Sequence, residues 1–257
     1  VAIFDRKQWK QSRWKPATWR AQLSSWLDLR REKFDIGFDF QGHSKTAIAM
    51  RLAAPRRRYS ARATDALSRA LTPPVTITAE HQVDKELEFV RHAGVDQVVE
   101  RPIMPDLAPE VAALRHSLGA PTLVTISTGA GWPDKIYPAS HWEAVAAGLI
   151  ADGHTVMTLG APGDPRLVNP DVQDRVGRFS LREAMVATAA SDLHLSVDTG
   201  SGHIAAAYGV PVVTLFSRHG PERYLPRGSR AEWLRAQPIS EVAPDDVLAK
   251  AREQLTR

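Results

Sequence analysis

SVDTGSGHIAAAYGVPVVTLF, residues 196–216, leaves an apolar run through a glycine turn, enters an alanine-rich segment and ends in a second apolar run. The spacing predicts a strand over 193–198, a helix over 203–208 and a strand over 210–216. Two strands joined by a helix lie parallel, because a tight hairpin cannot connect them. Outward from this unit the same alternation continues. Strands are expected at TLVTIST (122–128) and HTVMTLG (154–160), helices at 141–150 and 180–190, and a closing helix at 244–255. Strand and helix in turn imply a parallel sheet covered on both faces, an α/β domain of the doubly wound kind.

Upstream, FDIGFDF (34–40) reads as a strand ending near Asp39, and QGHSKTAIAMRLA places Ala47, Ile48, Met50 and Leu52 on a helical face. A short strand is expected from Arg57 to Ser60, and a helix at 82–93 that stops at Gly94. After Pro16 a helix over 17–32 carries Trp19, Leu23, Trp26 and Leu27 near one face. Together with Trp9 and Trp14, these tryptophans read as packing groups, with stacking on a base or sugar as the alternative. Pro102, Pro105 and Pro109 mark a linker within 97–118, giving domains 1–118 and 119–257.

The 257 residues are 43% hydrophobic and 24% charged, enough to bury a core, with no apolar run long enough to span a bilayer. The absence of cysteine excludes disulfides, thiolate zinc sites and thiol nucleophiles, and suits a reducing cytoplasm. The net charge of +4 is unevenly distributed: Arg56, Arg57, Arg58, Arg62 and Arg69 cluster, as do Lys7, Lys10, Arg13, Lys15 and Arg20. Such clusters favour anionic partners or form a solvated face. No zinc-finger spacing, RNP-type aromatic motif or basic zipper points to nucleic acid. Phosphate-binding P-loops, nucleophile elbows and H-E-x-x-H helices are also absent from the sequence.

Two loops at strand carboxyl ends carry chemistry, which is where open parallel sheets bind ligands. STGAGWPDKIYP (127–138) leaves its strand with Gly129 and Gly131 and holds Lys135, whose ammonium offers a compact charge to a phosphate. Asp198-Thr199-Gly200-Ser201-Gly202-His203 opens a helix whose free N–H groups form an anion site, and Thr199 or Ser201 could cap it. A diphosphate fits, with Asp198 accepting sugar hydroxyls and His203 donating to an oxygen; a plain capped turn is the other reading. Gly200, Gly202 and Ala205 also satisfy the G-x-G-x-x-A fingerprint of NAD-dependent oxidoreductases. That fingerprint belongs after the first strand of its domain, with an acid ending the next strand, where Phe216 stands.

STGAGWPDKIYPASHW and SVDTGSGHIAAAYGVPVVTLF together resemble the carboxyl-terminal domain of the heptosyltransferase family, glycosyltransferase family nine. FDIGFDFQGHSKTAIAMRLAAPRRR resembles its amino-terminal strand ending in Asp-x-Gln-Gly, followed by a helix and a basic turn. The resemblance runs from about Trp19 to the last helix and implies a GT-B architecture, two Rossmann-like domains facing a cleft. It implies a metal-independent, inverting transfer of a heptose from ADP-heptose to an anionic lipopolysaccharide-core acceptor, without cofactor. Thr128, Gly129, Lys135, Asp164, Asp198, Thr199, Gly200 and His203 would then hold the donor, and Gln41, Gly42, Lys45 and Arg62 the acceptor. Lys135 would also be catalytic, with Asp39 the nearest substitute for a general base. The resemblance places that base in an amino-terminal strand and loop that the sequence from Val1 does not include, so the amino-terminal domain is expected to be incomplete. A nucleotide-sugar binding module without catalysis is the competing reading. Peripheral contact with an anionic membrane face would suit the basic clusters.

Overall fold

The structure is a computed structural model describing residues 11–12, 15–99, 102–119, 121–228 and 230–257. The chain divides into two compact units, Val1–Glu100 and Arg101–Arg257.

In the first unit, Pro16 opens helix α1 (Pro16–Leu29), followed by a 3-10 turn at Arg30–Glu32. Strand β1 (Ile36–Asp39) leads to helix α2 (Ser44–Ala53), strand β2 (Arg57–Ser60), helix α3 (Ala66–Leu71) and helix α4 (Gln82–Arg91). β1 and β2 pair in parallel from Ile36↔Arg57 to Asp39↔Ser60. The packing here is aromatic. Phe89 of α4 is fully buried and meets Phe38 and Phe40 edge-on, at centroid distances of 5.5 and 5.0 Å. Offset and edge-on contacts of this kind add to the gain from area burial. Trp19 corrects the expectation of a packing group: it is 60% exposed on α1, and Leu23 and Leu27 are exposed on the same helix. Trp9 and Trp14 lie outside the described residues.

The second unit begins at Arg101, inside the proline-rich segment 97–118. Helix α5 (Ala108–Leu118) packs Val111, Leu114 and Leu118 onto Leu123, Met157 and Leu159 of this unit's sheet. Its elements are β3 (Leu123–Ser127), α6 (Ala139–Ala151), β4 (Thr155–Leu159), β5 (Gln173–Asp174) and α7 (Leu181–Ala189). They continue through β6 (Leu193–Val197), α8 (Gly200–Ala207), β7 (Val212–Phe216), α9 (Pro221–Tyr224), β8 (Ala231–Arg235) and α10 (Pro244–Thr256). All pairings are parallel, in the order β5-β4-β3-β6-β7-β8. α6 and α10 cover one face through Trp142, Leu149, Val247 and Ala251, while α5, α7 and α8 cover the other. Burial on both faces explains why β3, β6 and β7 are mostly apolar, with only small hydroxyl residues and His194 interrupting them.

The face under α7 and α8 is partly polar. His194 of β6 is fully buried, with Nδ1 2.9 Å from Thr125 Oγ1. Thr125 donates its hydroxyl proton to Ser191, so the proton in the first contact belongs to His194 Nδ1. Nε2 is left as a buried acceptor without a partner among the described residues. Burial pushes the imidazole pKa down from 6.5 to about 3. Unfolded chains bind this proton below pH 6.5 and folded ones do not, so stability is lost as the pH falls from 6.5 toward 3. At pH 5 the expected loss is about 2 kcal/mol, at about 1.4 kcal/mol per pH unit. Urea midpoints at pH 7.5 and 5.0 check this: His194→Phe should flatten the difference, and an equal pH dependence in the variant would contradict it.

Candidate active site

The strand order reverses between β3 and β6, with β4 and β5 on one side and β7 and β8 on the other. At such a point the loops diverge and leave a crevice beyond the strand carboxyl ends. Both loops singled out in the sequence begin there. The β3 loop makes a 3-10 turn, Pro133–Lys135, which aims Lys135 toward β6. Its Nζ lies 2.5 Å from Asp198 Oδ2 and 3.3 Å from the Asp198 carbonyl oxygen. The two side chains are only 20% and 10% exposed, which screens the pair less than an ion pair on the open surface.

α8 starts two residues after Asp198. Thr199 is the N-cap residue, in extended backbone, yet its side chain makes no cap hydrogen bond. The Thr199 hydroxyl instead lies 3.1 Å from Ser201 Oγ and donates to the Val197 carbonyl. The expected Thr199 cap is therefore not formed. The first-turn N–H groups, beginning at Gly200, remain a positive helix end beside the Lys135 ammonium, with His203 exposed in the same turn. The dinucleotide fingerprint does not fit this position: β6 comes after β3, β4 and β5, and β7 ends in Phe216 rather than an acid.

The β4 loop reaches the same place. Asp164 accepts a hydrogen bond from Ala161 N at 2.6 Å, closing its own turn. Its carboxylate then lies against Gly129, where an added Cβ would fall 1.9 Å from Oδ2. Thr128 is corrected from ligand to scaffold. It is fully buried, its hydroxyl donates to Pro165 O at 2.6 Å, and its N–H goes to Leu159 O. Sequence reasoning missed a second ion pair at the rim, Asp134 with Arg218 at 3.3 Å. Asp134 was visible beside Lys135, but nothing in the spacing connects it to an arginine after β7.

In the first unit, the four acceptor candidates are gathered where β1 and β2 end. Thr64 N and its hydroxyl both donate to the Gly42 carbonyl, and Ser44 N donates to Asp65, tying the two loops together. Gln41 and Arg62 are exposed on this pair of loops and Lys45 in the first turn of α2, and Arg62 also faces Glu86 at 3.5 Å. Hydrogen bonds from Ser44 and then Ser68 hold the Asp65 carboxyl well below the usual carboxylate range. Asp39 does not hold the catalytic post expected of it. It is buried, with Oδ1 accepting from Gln41 N and Gly42 N at 3.0 and 2.9 Å and Oδ2 accepting from Thr46 at 2.7 Å. Both oxygens shape the turn. Among the described residues, no three His, Asp or Glu side chains gather as a metal site, and no helix is long and apolar enough to cross a membrane.

Similarity to known proteins follows this geometry. Residues 22–248 match the family described as glycosyltransferase family 9 (heptosyltransferase). Lipopolysaccharide heptosyltransferase 3 of Escherichia coli is 25% identical over 206 residues, covering 73% of this chain and 61% of that protein. The chain thus spans about three fifths of that relative's length. The structure of E. coli ADP-heptose LPS heptosyltransferase II is similar with a TM-score of 0.73, at 18% identity over 91% of this chain and 80% of that one. E. coli heptosyltransferase WaaC with ADP gives 0.67 at 20% identity, over 99% of this chain and 82% of that one. These likenesses establish an α/β fold of the GT-B type. With the match extending over most of its length, the chain belongs to glycosyltransferase family 9, the heptosyltransferases.

Proposed function

We propose that the protein transfers a heptose or related sugar from a nucleoside diphosphate sugar, ADP-heptose, to an anionic acceptor of the lipopolysaccharide-core kind. The observation that carries this reading is the meeting of Lys135 with Asp198 beside the start of α8, which the Thr199 side chain does not cap. An ammonium and a helix end aimed at one point suit a diphosphate. Family membership supports the donor class, as do the ADP-heptose and lipopolysaccharide names of the similar proteins.

In this mechanism the acceptor hydroxyl displaces the nucleoside diphosphate with inversion while a base takes its proton. Negative charge grows on the departing diphosphate. Lys135 and the α8 amides stabilise that charge more than they stabilise the bound donor, and this difference lowers the barrier. Asp198 holds Lys135 in place before the donor arrives and is free to accept a sugar hydroxyl once the ammonium turns to phosphate. Asp164, beside Gly129, contributes an acid to the donor side. Gln41, Gly42, Lys45 and Arg62 meet the anionic acceptor, where cations form charge-assisted bonds with phosphate or carboxylate. This activity belongs at the cytoplasmic face of a membrane, in peripheral contact with it.

Incubation with ADP-heptose and a Kdo-bearing lipid A acceptor should yield glycosylated acceptor and ADP; binding of the sugar nucleotide without transfer would favour a non-catalytic module. Because Lys135 and the helix end take the place of a cation, turnover in excess EDTA should stay within about twofold of the untreated rate. Loss of turnover on chelation, restored by a divalent metal, would overturn metal independence.

A further inference from the structure

Beneath α8 the sheet presents two hydroxyls that no hydrogen bond accounts for. Ser196 on β6 and Thr214 on β7 are register partners, so their side chains stand next to each other on one face. They are 0% and 1% exposed, and among the described residues neither Ser196 Oγ nor Thr214 Oγ1 has a hydrogen-bond partner. Both converge on Gly202 in the first turn of α8. A Cβ built there would lie 2.9 Å from Ser196 Oγ, 3.3 Å from Thr214 Oγ1 and 3.3 Å from Pro226 Cγ. Gly202 and the next inward positions, Ala205 and Ala206, are all buried and small, which lets the helix rest directly on the strands.

We propose that Ser196, Thr214 and Gly202 form a seat that sets the height of the α8 amino terminus, and so make Gly202 a positioning residue for diphosphate binding. This rests on the donor site proposed above. Gly202 stands two residues past Gly200, so a lift of a few tenths of an ångström at Gly202 is passed to the first-turn N–H groups beside it. Those groups begin two residues beyond Asp198, which holds the Lys135 ammonium. Preorganised donors lose their advantage when displaced by such amounts. Glycine is required here by the hydroxyls opposite, not by backbone strain, so removing a hydroxyl should make alanine acceptable.

The test is a double-mutant cycle of Gly202→Ala and Ser196→Ala, with ADP affinity read calorimetrically and thermal midpoints read on the same samples. Gly202→Ala is expected to weaken ADP binding roughly tenfold, about 1.4 kcal/mol, while still folded at the assay temperature. Adding Ser196→Ala should recover most of that loss. Unchanged ADP affinity in folded Gly202→Ala would overturn the proposal, as would a double variant no better than the single one. If Gly202→Ala does not fold, Ser196→Val loads the same seat from the strand side and is expected to show the same weakening; normal affinity there would overturn the proposal. Should the wild-type protein bind no ADP at all, the donor-site reading falls. The seat is then judged by thermal midpoints alone, with Ser196→Ala expected to restore the midpoint that Gly202→Ala lowers.

Discussion

Lys135→Ala is expected to lower turnover by roughly 10²–10³-fold, the usual effect of removing one preorganised group that stabilises developing charge. The effect should fall on kcat more than on KM, because the ammonium interacts most strongly once the diphosphate carries its full departing charge. Lys135→Arg, which keeps the charge but not its compact shape, should recover part of the activity. Initial-rate kinetics with a coupled ADP assay measure this, and a thermal melt shows whether each variant is folded. Turnover within a fewfold of wild type in folded Lys135→Ala would remove the residue from the chemistry. The ion pair itself is a weak argument for stability, since its net worth depends on the balance of desolvation and attraction.

The second large effect concerns the first unit. Gly42→Ala is expected to destabilise it by about 3 kcal/mol or more. An added Cβ would fall 2.0 Å from the Arg62 carbonyl oxygen, a backbone atom that cannot swing aside, and Gly42 already has a φ of +65°. Overpacking and a left-handed backbone act together there. Gly94→Ala is the control, with a φ of +81° but nothing within 4 Å of the added carbon. It should lose only about 1 kcal/mol, the strain without the clash. Urea denaturation of both variants separates the two contributions. Similar midpoints for both would show that the Gly42–Arg62 contact does not hold these loops together.

The carboxyl-terminal unit was legible from its sequence because parallel strands buried on both faces read as near-continuous apolar runs. β3, β4, β6 and β7 each fall inside the segments expected from that pattern. The two edge strands did not carry the signal. β5 has two residues, Gln173 and Asp174, and β8 has a half-exposed alternation around Trp233, which is 44% exposed. Without them the reversal of strand order, and so the position of the crevice, was an inference from loop chemistry alone. Lys135 and Asp198, 63 residues apart, were each marked by glycine-rich surroundings, but only the β3–β6 adjacency makes them partners.

Other residues misled for identifiable reasons. Thr128 follows its strand directly and looks available, yet it is fully buried and its hydroxyl is spent on the Pro165 carbonyl. Asp39 ends an apolar strand as a catalytic base would, but two donors from its own turn and Thr46 of α2 surround it. Composition cannot distinguish a carboxylate that shapes a loop from one that meets a substrate. The unpaired hydroxyls of Ser196 and Thr214 were invisible for a similar reason. In sequence they read as ordinary members of β strands, and only their register across β6 and β7 shows what they face.

The central claim is that a pyrophosphate sits between the Lys135 ammonium and the start of α8. A crystal structure of the protein with ADP tests it most directly. The expected result is a β-phosphate oxygen within about 3 Å of Lys135 Nζ, with further oxygens accepting from first-turn α8 amides and Asp198 released from its ion pair. ADP bound elsewhere, or bound with the Lys135–Asp198 pair intact and no phosphate at the helix end, would contradict it.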